Sequence, residues 1–418
     1  MPSYLDHNAT SPASAEHLSA VFSRLQLVAA NPSSPHAAGR TASVALATAR
    51  KQIAASVDAD PGEVIFVSGG SEANNLGTSA VLRGLGRDIC KRHAITSAIE
   101  HPSVLEPLKV LHERENLALT ILPVDSNGAI SPAALLAAIR PDTALISVMI
   151  ANNETGVVQP LFPFAEWLNA VRWSKLKPGQ NWRSISSDVF PEWARDLDSD
   201  VTQEQLQGIH FHVDAVQAWG KIPLQEWCSK GFDSISICGH KLGGLSGIGA
   251  LILRRGRKFQ PLILGGAQER SRRAGTENLA GVLSLGMIAE KIQDPDWWTR
   301  ISHMRARLEK LQQQISGLSG IVLNSVGSPA LPNTVNFSVD GTRRKGEDVL
   351  LELDIRGFYA SSGSACSSGA NRPSHVLMAQ HDNAQLARNA VRISLSPDTG
   401  DKEIDELLEA LREIFQTH

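Results

Sequence analysis

The sequence predicts an α/β fold in which a mostly parallel, doubly wound sheet forms a large domain beside a smaller α+β domain. Short β-rich runs alternate with helical patterns over roughly the first 260 residues, as in a parallel sheet covered by helices on both faces. Polar residues gather at the carboxyl ends of several predicted strands. Because ligands bind beyond that edge of such a sheet, we expect the functional site there.

The predicted elements follow one another in a regular order. EVIFVSGG is a strand that runs into glycines, and SEANNLGTSAVLRGL is the helix after it. HAITSAIE and LALTILPVD are predicted strands, and SPAALLAAIR is a helix with Ser131 as its N-cap and Pro132 at its first position. TALISVMIANNETG, IHFHVDAVQ and FDSISICGHK each indicate a buried strand that is followed at once by a polar cluster.

A different pattern begins after the last of these strands. A helical region over roughly 278–316 is followed by the strand NTVNFSV, the helical EDVLLELDIRG, the strand VRISLS and the helix KEIDELLEALREIF. We therefore expect a large domain over 14–257 and a small domain made of 1–13 and 258–418. The small domain would also carry a loop over 361–375 that is rich in serine and glycine.

The segment 172–209 interrupts the alternation. It is rich in Trp, Ser, Asp and Arg, and it shows little helical or strand periodicity. Long structureless segments are uncommon inside compact domains. We therefore predict that this segment is an insertion on the surface of the large domain.

Composition and charge exclude several classes of protein. The 418-residue chain is 42% hydrophobic and 20% charged, as in ordinary globular proteins. Its formal net charge of −3 gives no reason to expect nucleic acid or an anionic membrane as a partner. The apolar runs fall short of the roughly 20 residues that a spanning helix needs. MPSYLDHNAT has no basic region followed by an apolar core, so we expect no signal peptide.

The four cysteines also bear on the class of protein. Cys90, Cys228, Cys238 and Cys366 are scattered and form no C-x-x-C pair. This distribution argues against a disulfide framework and against a zinc ribbon. We therefore expect reduced thiols and a cytoplasmic protein.

Three polar features at strand ends indicate chemistry only when they are taken together. SGGSEANN places glycines and Ser71 at a helix N-terminus, where free N–H groups favour an anion. Asp214 ends one strand and Lys241 follows another. Singly, these features are a turn, a helix cap and a surface lysine. Jointly, they supply what pyridoxal 5′-phosphate needs: a phosphate site, an acid for its ring nitrogen and an amine for its aldehyde.

A metal site is a competing interpretation of one strand. His210, His212 and Asp214 alternate along IHFHVDAVQ and would share a face of the sheet. Alternation alone is a weak signal for metal ligands, and Asp214 already has a role in the cofactor site. We therefore predict no metal site.

Motifs spread over nearly the whole chain carry a resemblance to a known family. They are YLDHNAT, NPSSPH, VIFVSGGSEANN, SAIEHPSVLEP, LPVDSNG, ANNETGVVQP, HVDAVQAWGKIP, GHK, GGAQERSRRAGTEN, LPNTVN, SSGSACSSG and SHVL. In this order they resemble the cysteine desulfurases of the NifS/IscS type, within the class V aminotransferase-like family of pyridoxal-phosphate enzymes. The resemblance implies the type I fold of pyridoxal-phosphate-dependent transferases.

The resemblance also implies a role for each matched residue. Lys241 would bind the cofactor through its aldehyde, Asp214 would pair with the ring nitrogen, and His101 would stack on the ring and assist proton transfer. Arg392 would grip the substrate carboxylate, although from the residues alone it is a strand arginine that pairs with an acid. The other implied contacts are those of Asn153 and Gln217 with the ring hydroxyl, of Gly70, Ser71, Cys238 and His240 with the phosphate, of Thr276 with the phosphate across a homodimer, and of Asn8 and Asn153 with the substrate.

Cys366 lies among small residues in SSGSACSSG. By resemblance, its thiolate attacks the sulfur of the substrate L-cysteine and leaves a persulfide on the protein, with L-alanine as product. The persulfide must then reach a sulfur-acceptor protein in iron–sulfur cluster assembly or a thiolation pathway. The small side chains around Cys366 offer little packing, so we expect the thiol to move between cofactor and acceptor.

Two other functions stay open at this point. One is a selenocysteine lyase or another class V aminotransferase or lyase, and the other is an inactive homologue that acts as a scaffold. The joint presence of Lys241, Asp214, His101 and Cys366 argues against the inactive homologue. Cys238 stands where the family has serine, and a thiol is the weaker hydrogen-bond partner. We therefore predict weaker cofactor binding, by about 1 kcal/mol.

Overall fold

The structure is a computed structural model that describes residues 2–86, 92–174, 201–225, 231–341, 344–363 and 373–416. Within these ranges the strands are β1 (Ser3–Tyr4), β2 (Val64–Val67), β3 (His93–Ser97), β4 (Ala118–Leu122), β5 (Thr143–Met149), β6 (His210–Asp214), β7 (Ser234–Cys238), β8 (Gly249–Leu253), β9 (Ile321–Leu323), β10 (Thr334–Val339), β11 (Phe358–Tyr359) and β12 (Ala390–Ser394).

The helices of the same ranges alternate with these strands over most of the chain. They are α1 (Ala15–Val28), α2 (Ala37–Ser56), α3 (Gly70–Asn75), which continues through a π-helical stretch (Leu76–Ala80) into α4 (Val81–Gly84), α5 (Pro102–Glu115), α6 (Pro132–Ala137), α7 (Leu161–Trp173), α8 (Gln203–Gly208), α9 (Gln268–Ser271), α10 (Leu279–Lys291), α11 (Pro295–Ile315), α12 (Gly346–Ile355), α13 (His375–His381), α14 (Ala384–Arg388) and α15 (Asp401–Gln416).

The large sheet has seven strands in the order β2-β8-β7-β6-β5-β3-β4. Neighbouring strands from β7 to β4 are parallel, and β8 runs antiparallel to both of its neighbours. Every residue of β3, β5, β6 and β7 is buried, as expected for strands with helices on both faces. The predicted α/β class and the mostly parallel, doubly wound sheet are confirmed.

Local sequence signals account for the start of two helices beside this sheet. Ser131 caps α6 by accepting a hydrogen bond from Ala134 N, and Pro132 occupies the first position, as predicted. α5 begins in the same way, because His101 accepts a hydrogen bond from Ser103 N and a proline follows it. Since α5 follows β3, this cap places the His101 ring at the carboxyl edge of the sheet.

A smaller antiparallel sheet has the order β12-β10-β9, and β1 pairs in parallel with β11. α11 packs on α15 and on β10, whereas α10 packs on α1 and α2 beside the large sheet. Asp294 caps α11, so the predicted long helical region is divided into two helices. The predicted boundaries of the two domains stay a prediction. No helix in the described ranges is long and apolar enough to cross a membrane.

The ends of the predicted insertion differ from the expectation of a structureless surface segment. Residues 175–200 lie outside the described residues, but Thr202 and Gln205 form a capping box that starts α8. α8 packs on α7. The Arg172 guanidinium is completely buried and donates hydrogen bonds to the carbonyl oxygens of Leu206, Ile209 and Gly231. Both described ends of the segment are therefore part of the core.

Candidate active site

A cavity of about 400 Å³ lies where the strands β5, β6 and β7 end. Met149 and Asp214 are the last residues of β5 and β6, and His240 and Lys241 follow β7 closely; all four line the cavity. The predicted site residues that line it are Asn8, Gly70, Ser71, His101, Asn153, Asp214, Gln217, His240, Lys241 and Arg392.

Two of the predicted site residues lie outside the lining of this cavity, and a third belongs to a part of the chain that the structure does not describe. Cys238 is completely buried at the end of β7, outside the cavity lining, and burial raises the pKa of its thiol to about 12. Thr276 lines a separate cavity of about 210 Å³, together with Ser68 and Asn278. Cys366 lies outside the described residues. The predicted roles of these three side chains stay predictions.

Lys241 is held against the N-terminal segment. Its Nζ donates hydrogen bonds to the backbone carbonyl oxygens of Asn8 and Ala9, at 2.8 and 2.7 Å. The backbone N–H of Asn8 donates in turn to Ser394 Oγ, at the end of β12. The amine therefore lies between the large sheet and the start of the chain, at the wall of the cavity.

A second lysine lies close behind this wall and was missed by the reasoning from sequence. Lys221 is buried, and its Nζ donates to Asn8 Oδ1 and Gln217 Oε1, both at 2.8 Å. Burial lowers its pKa well below the ordinary range, and the positive charges of Lys241 and Arg392 lower it further. It stands in the motif HVDAVQAWGKIP, but nothing in its spacing indicated that it would be buried.

Asp214 is surrounded by hydrogen-bond donors. Its Oδ1 accepts from Val216 N at 2.9 Å, and its Oδ2 accepts from Asn74 Nδ2 at 2.7 Å. An ionised carboxylate can accept but cannot donate, so two donors suit its charged form. Asn74 was also missed, because an asparagine inside a predicted helix carries no separate signal.

Burial lowers the pKa of both histidines at the cavity. For His101 the positive charges of Lys241 and His375 act in the same direction, and the negative charge of Asp214 opposes them. For His240, burial and the charge of Lys241 lower the pKa to about 4. Both rings are therefore neutral at neutral pH.

The anion site predicted from SGGSEANN falls at the start of α3. Gly69 precedes the helix and provides no side-chain cap, so the first N–H groups are not satisfied by a capping side chain. A Cβ atom on Gly70 would come within 2.7 Å of Val216 Cγ2, which explains the need for glycine. Helical structure continues from Gly70 to Gly84, so the helix dipole points its positive end at the cavity.

The guanidinium of Arg392 is almost completely buried beside the cavity. Its Nη2 donates to Asp6 Oδ1 at 2.5 Å and to Ser361 Oγ at 2.9 Å. Its Nη1 donates to the carbonyl oxygens of Asn153 and Gly363, at 2.9 and 3.3 Å. The expectation from the residues alone, an arginine paired with an acid, is therefore met by Asp6.

His210 and His212 have hydrogen-bond partners of their own in the core. His210 Nε2 and His212 Nδ1 lie 2.7 and 2.8 Å from the same atom, Ser234 Oγ. Among the residues that the structure describes, no group of three or more His, Cys, Asp or Glu side chains is arranged to hold a metal.

Comparison with known proteins identifies the family. The family model for class-V aminotransferases matches residues 3–172 and 199–407, which leaves 173–198 unmatched. Cysteine desulfurase IscS of Dictyoglomus turgidum is 37% identical over 99% of this chain and 94% of its own sequence. A solved NifS-like protein is 29% identical, with a TM-score of 0.82 over the whole of both chains. The solved structure of SspA in complex with cysteine is 30% identical, with a TM-score of 0.73 over 94% of this chain and 99% of its own. The chain therefore belongs to the class-V aminotransferase family and, within it, to the cysteine desulfurases of the NifS/IscS type.

Proposed function

We propose that this chain is a pyridoxal-phosphate-dependent cysteine desulfurase, a sulfurtransferase that converts L-cysteine to L-alanine with a persulfide on Cys366. The observation that carries the proposal is that Lys241, Asp214 and Arg392 line one cavity. They supply an amine, a carboxylate and a guanidinium from distant parts of the chain. The full-length likeness to IscS and the likeness to SspA, which was solved with cysteine, support L-cysteine as the substrate.

The side chains around the cavity fit pyridoxal phosphate. The donors around Asp214 suit a carboxylate that would face the ring nitrogen, and Lys241 would bind the aldehyde. When bound, the cofactor supplies an electron sink for the negative charge left on the substrate's α-carbon. The remaining residues that would hold it are Gly70, Ser71 and His240 at the phosphate, Gln217 and Asn153 at the ring hydroxyl, and His101 on the ring face.

Substrate binding and proton transfer fall to five side chains that line the cavity. Arg392 would hold the substrate carboxylate, with help from Asn8 and Asn153 at the same wall. Its Nε is buried and has no hydrogen-bond partner among the described residues, so Arg392 still has a donor to offer. The Lys241 amine would remove the proton from the α-carbon, and His101 would assist this transfer.

The sulfur of the substrate is transferred to Cys366, and the atoms and electrons of this step balance. The Cys366 thiolate forms a bond to the substrate sulfur as the bond from that sulfur to the substrate β-carbon breaks. A proton then completes the methyl group of L-alanine. Overall, one thiol and L-cysteine become one persulfide and L-alanine, without an outside oxidant.

The functional unit would be a homodimer that delivers sulfur to another protein. Thr276 lies outside the cavity of its own chain and would complete the phosphate site of the partner subunit. The persulfide would pass to an acceptor in iron–sulfur assembly or thiolation, and the IscS name of the relative favours the first. The proposed reaction needs the Cys366 thiol in its reduced form, and this favours the cytoplasm as the location of the protein.

The test measures sulfide and alanine from L-cysteine. Purified protein loaded with pyridoxal phosphate is incubated with L-cysteine and a reductant, and wild type is compared with Cys366→Ala and Lys241→Ala. Cys90→Ala is the matched control, because it removes another thiol of the same chain. We expect both products from wild type and Cys90→Ala, and the loss of both products from the other two variants.

Each contrary result refutes a different part of the proposal. Equal sulfide from wild type and Cys366→Ala would refute the persulfide on Cys366. Turnover by Lys241→Ala would mean that another amine acts. Alanine from L-selenocysteine but not from L-cysteine would indicate a selenocysteine lyase instead.

A further inference from the structure

The buried side-chain amide of Asn74 links the end of β6 to the start of α5. Its side chain is 1% exposed, and its Nδ2 donates to Asp214 Oδ2 at 2.7 Å and to Ser103 Oγ at 2.9 Å. Its Oδ1 lies 3.3 Å from His212 Nε2. An amide nitrogen carries two hydrogens, so both are used, one toward Asp214 and one toward Ser103.

The direction of these bonds determines where His101 carries its hydrogen. Ser103 Oγ accepts from Asn74, so its own hydrogen is free to be donated to His101 Nδ1, 2.8 Å away. The backbone N–H of Ser103 points at the same ring atom, at 3.1 Å, and an N–H can only donate. His101 Nδ1 therefore accepts two hydrogen bonds, and the hydrogen of the neutral ring must lie on Nε2.

We propose that Asn74 and Ser103 are positioning residues, which hold Asp214 and His101 in one hydrogen-bond network and keep the hydrogen of the neutral His101 ring on Nε2. This inference rests on the proposed roles of Asp214 and His101 in the cofactor site. Its consequence is that His101 donates from Nε2 toward the cavity, while Nδ1 is occupied and cannot take up a proton without the loss of both bonds. Asn74 then links the orientation of the acid to that of the histidine.

The charged groups around His101 do not produce this arrangement by themselves. Lys241 and His375 disfavour a charged ring, and Asp214 favours one. These charges change the proton affinity of the ring as a whole. The choice between its two nitrogens follows from Ser103, which supplies two donors to the same atom.

The test reads the imidazole nitrogens of His101 directly by NMR. The full chain is labelled with ¹⁵N-histidine and measured with and without bound pyridoxal phosphate, and the His101 signals are assigned by their loss in His101→Gln. We expect the Nε2–H tautomer in the wild type. Ser103→Ala should raise the proton affinity of His101 about fivefold, since one hydrogen bond to the neutral ring is worth about 1 kcal/mol. Ser103→Thr keeps the hydroxyl and should restore the wild-type value.

A double-mutant cycle tests the part played by Asn74. The effect of Ser103→Ala on His101 should be smaller in the Asn74→Ala background, because the hydroxyl is then no longer directed by the amide. Asn75→Ala is the matched control, because Asn75 is the neighbouring amide and does not contact Asp214; it should leave the effect unchanged. A wild-type ring with its hydrogen on Nδ1, an unchanged His101 in Ser103→Ala, or full additivity of the two substitutions would overturn the proposal. If the wild-type protein showed no desulfurase activity, the proposed function would be refuted, but the inference about the His101 tautomer would not be.

Discussion

Replacing Asp6 by asparagine should destabilise the protein, because Asp6 is the direct counter-ion of the buried guanidinium of Arg392. The two side chains are 18% and 2% exposed, and Asp6 Oδ1 lies 2.5 Å from Arg392 Nη2. The other acceptors of this guanidinium are uncharged: two carbonyl oxygens and the hydroxyl of Ser361. The substitution therefore keeps one hydrogen-bond acceptor but removes the negative charge.

The size of the effect follows from this geometry. Removal of one partner from a fully buried ion pair costs about 3–5 kcal/mol. Because Asp6 is partly exposed and asparagine can still accept a hydrogen bond, we expect Asp6→Asn to lower the free energy of unfolding by about 2 kcal/mol. Urea unfolding of the cofactor-free protein, followed by tryptophan fluorescence and circular dichroism, measures this loss.

A surface ion pair provides the control for this experiment. Asp405 pairs with Lys310, and these side chains are 61% and 47% exposed. Pairs of this kind contribute about 0–1 kcal/mol, so Asp405→Asn should change little. Equal losses in the two variants would refute the argument that burial makes the Asp6–Arg392 pair important.

Two further predictions concern the cofactor and the effect of acid. Cys238→Ser should bind pyridoxal phosphate about fivefold more tightly, since a hydroxyl would add about 1 kcal/mol of hydrogen bonding; an unchanged Kd in a fluorescence titration would mean that the buried position of Cys238 keeps it from the phosphate. Stability should also fall as the pH drops below about 6.5, because burial lowers the pKa of His210 to about 4 and that of His212 to about 3. The unfolded chain then binds protons that the folded protein does not bind. For each histidine this lowers the free energy of unfolding by about 1.4 kcal/mol per pH unit. His210→Gln should make this dependence shallower in urea unfolding at pH 7, 6 and 5, and an equal slope would contradict the assignment.

The features that could be predicted from the sequence are those with a local cause. Buried strands that end in polar clusters predicted a mostly parallel sheet, which the structure confirms, and a cavity lies at the carboxyl edge of that sheet. Ser131 and Pro132 were a sufficient signal for the start of α6. The capping box of Thr202 and Gln205 was an equally local signal, which was hidden by the low periodicity around it.

Side chains that act through a contact from another part of the chain could not be predicted in this way. Asn74, Ser103 and Lys221 are polar residues whose sequence neighbours give no indication of what they touch. Asn74 contacts Asp214 from a helix 140 residues earlier in the chain, and this helix, α3, packs on β7 and β8 beside the strand that ends in Asp214. Their importance appears only when the direction of each hydrogen bond is known.

The contacts of Lys241 and Lys221 show why the groups that orient a functional side chain could not be predicted from sequence motifs. Lys241 donates to the backbone carbonyl oxygens of Asn8 and Ala9, and Lys221 donates to the side-chain oxygen of Asn8. A carbonyl oxygen is present whatever the side chain, so no residue type at position 9 could have indicated this contact. One segment before α1 therefore orients both amines, and this segment is itself bound to the end of β12 through Ser394. Residue types reveal the groups that can perform chemistry, whereas the groups that orient them depend on the packing of the two sheets.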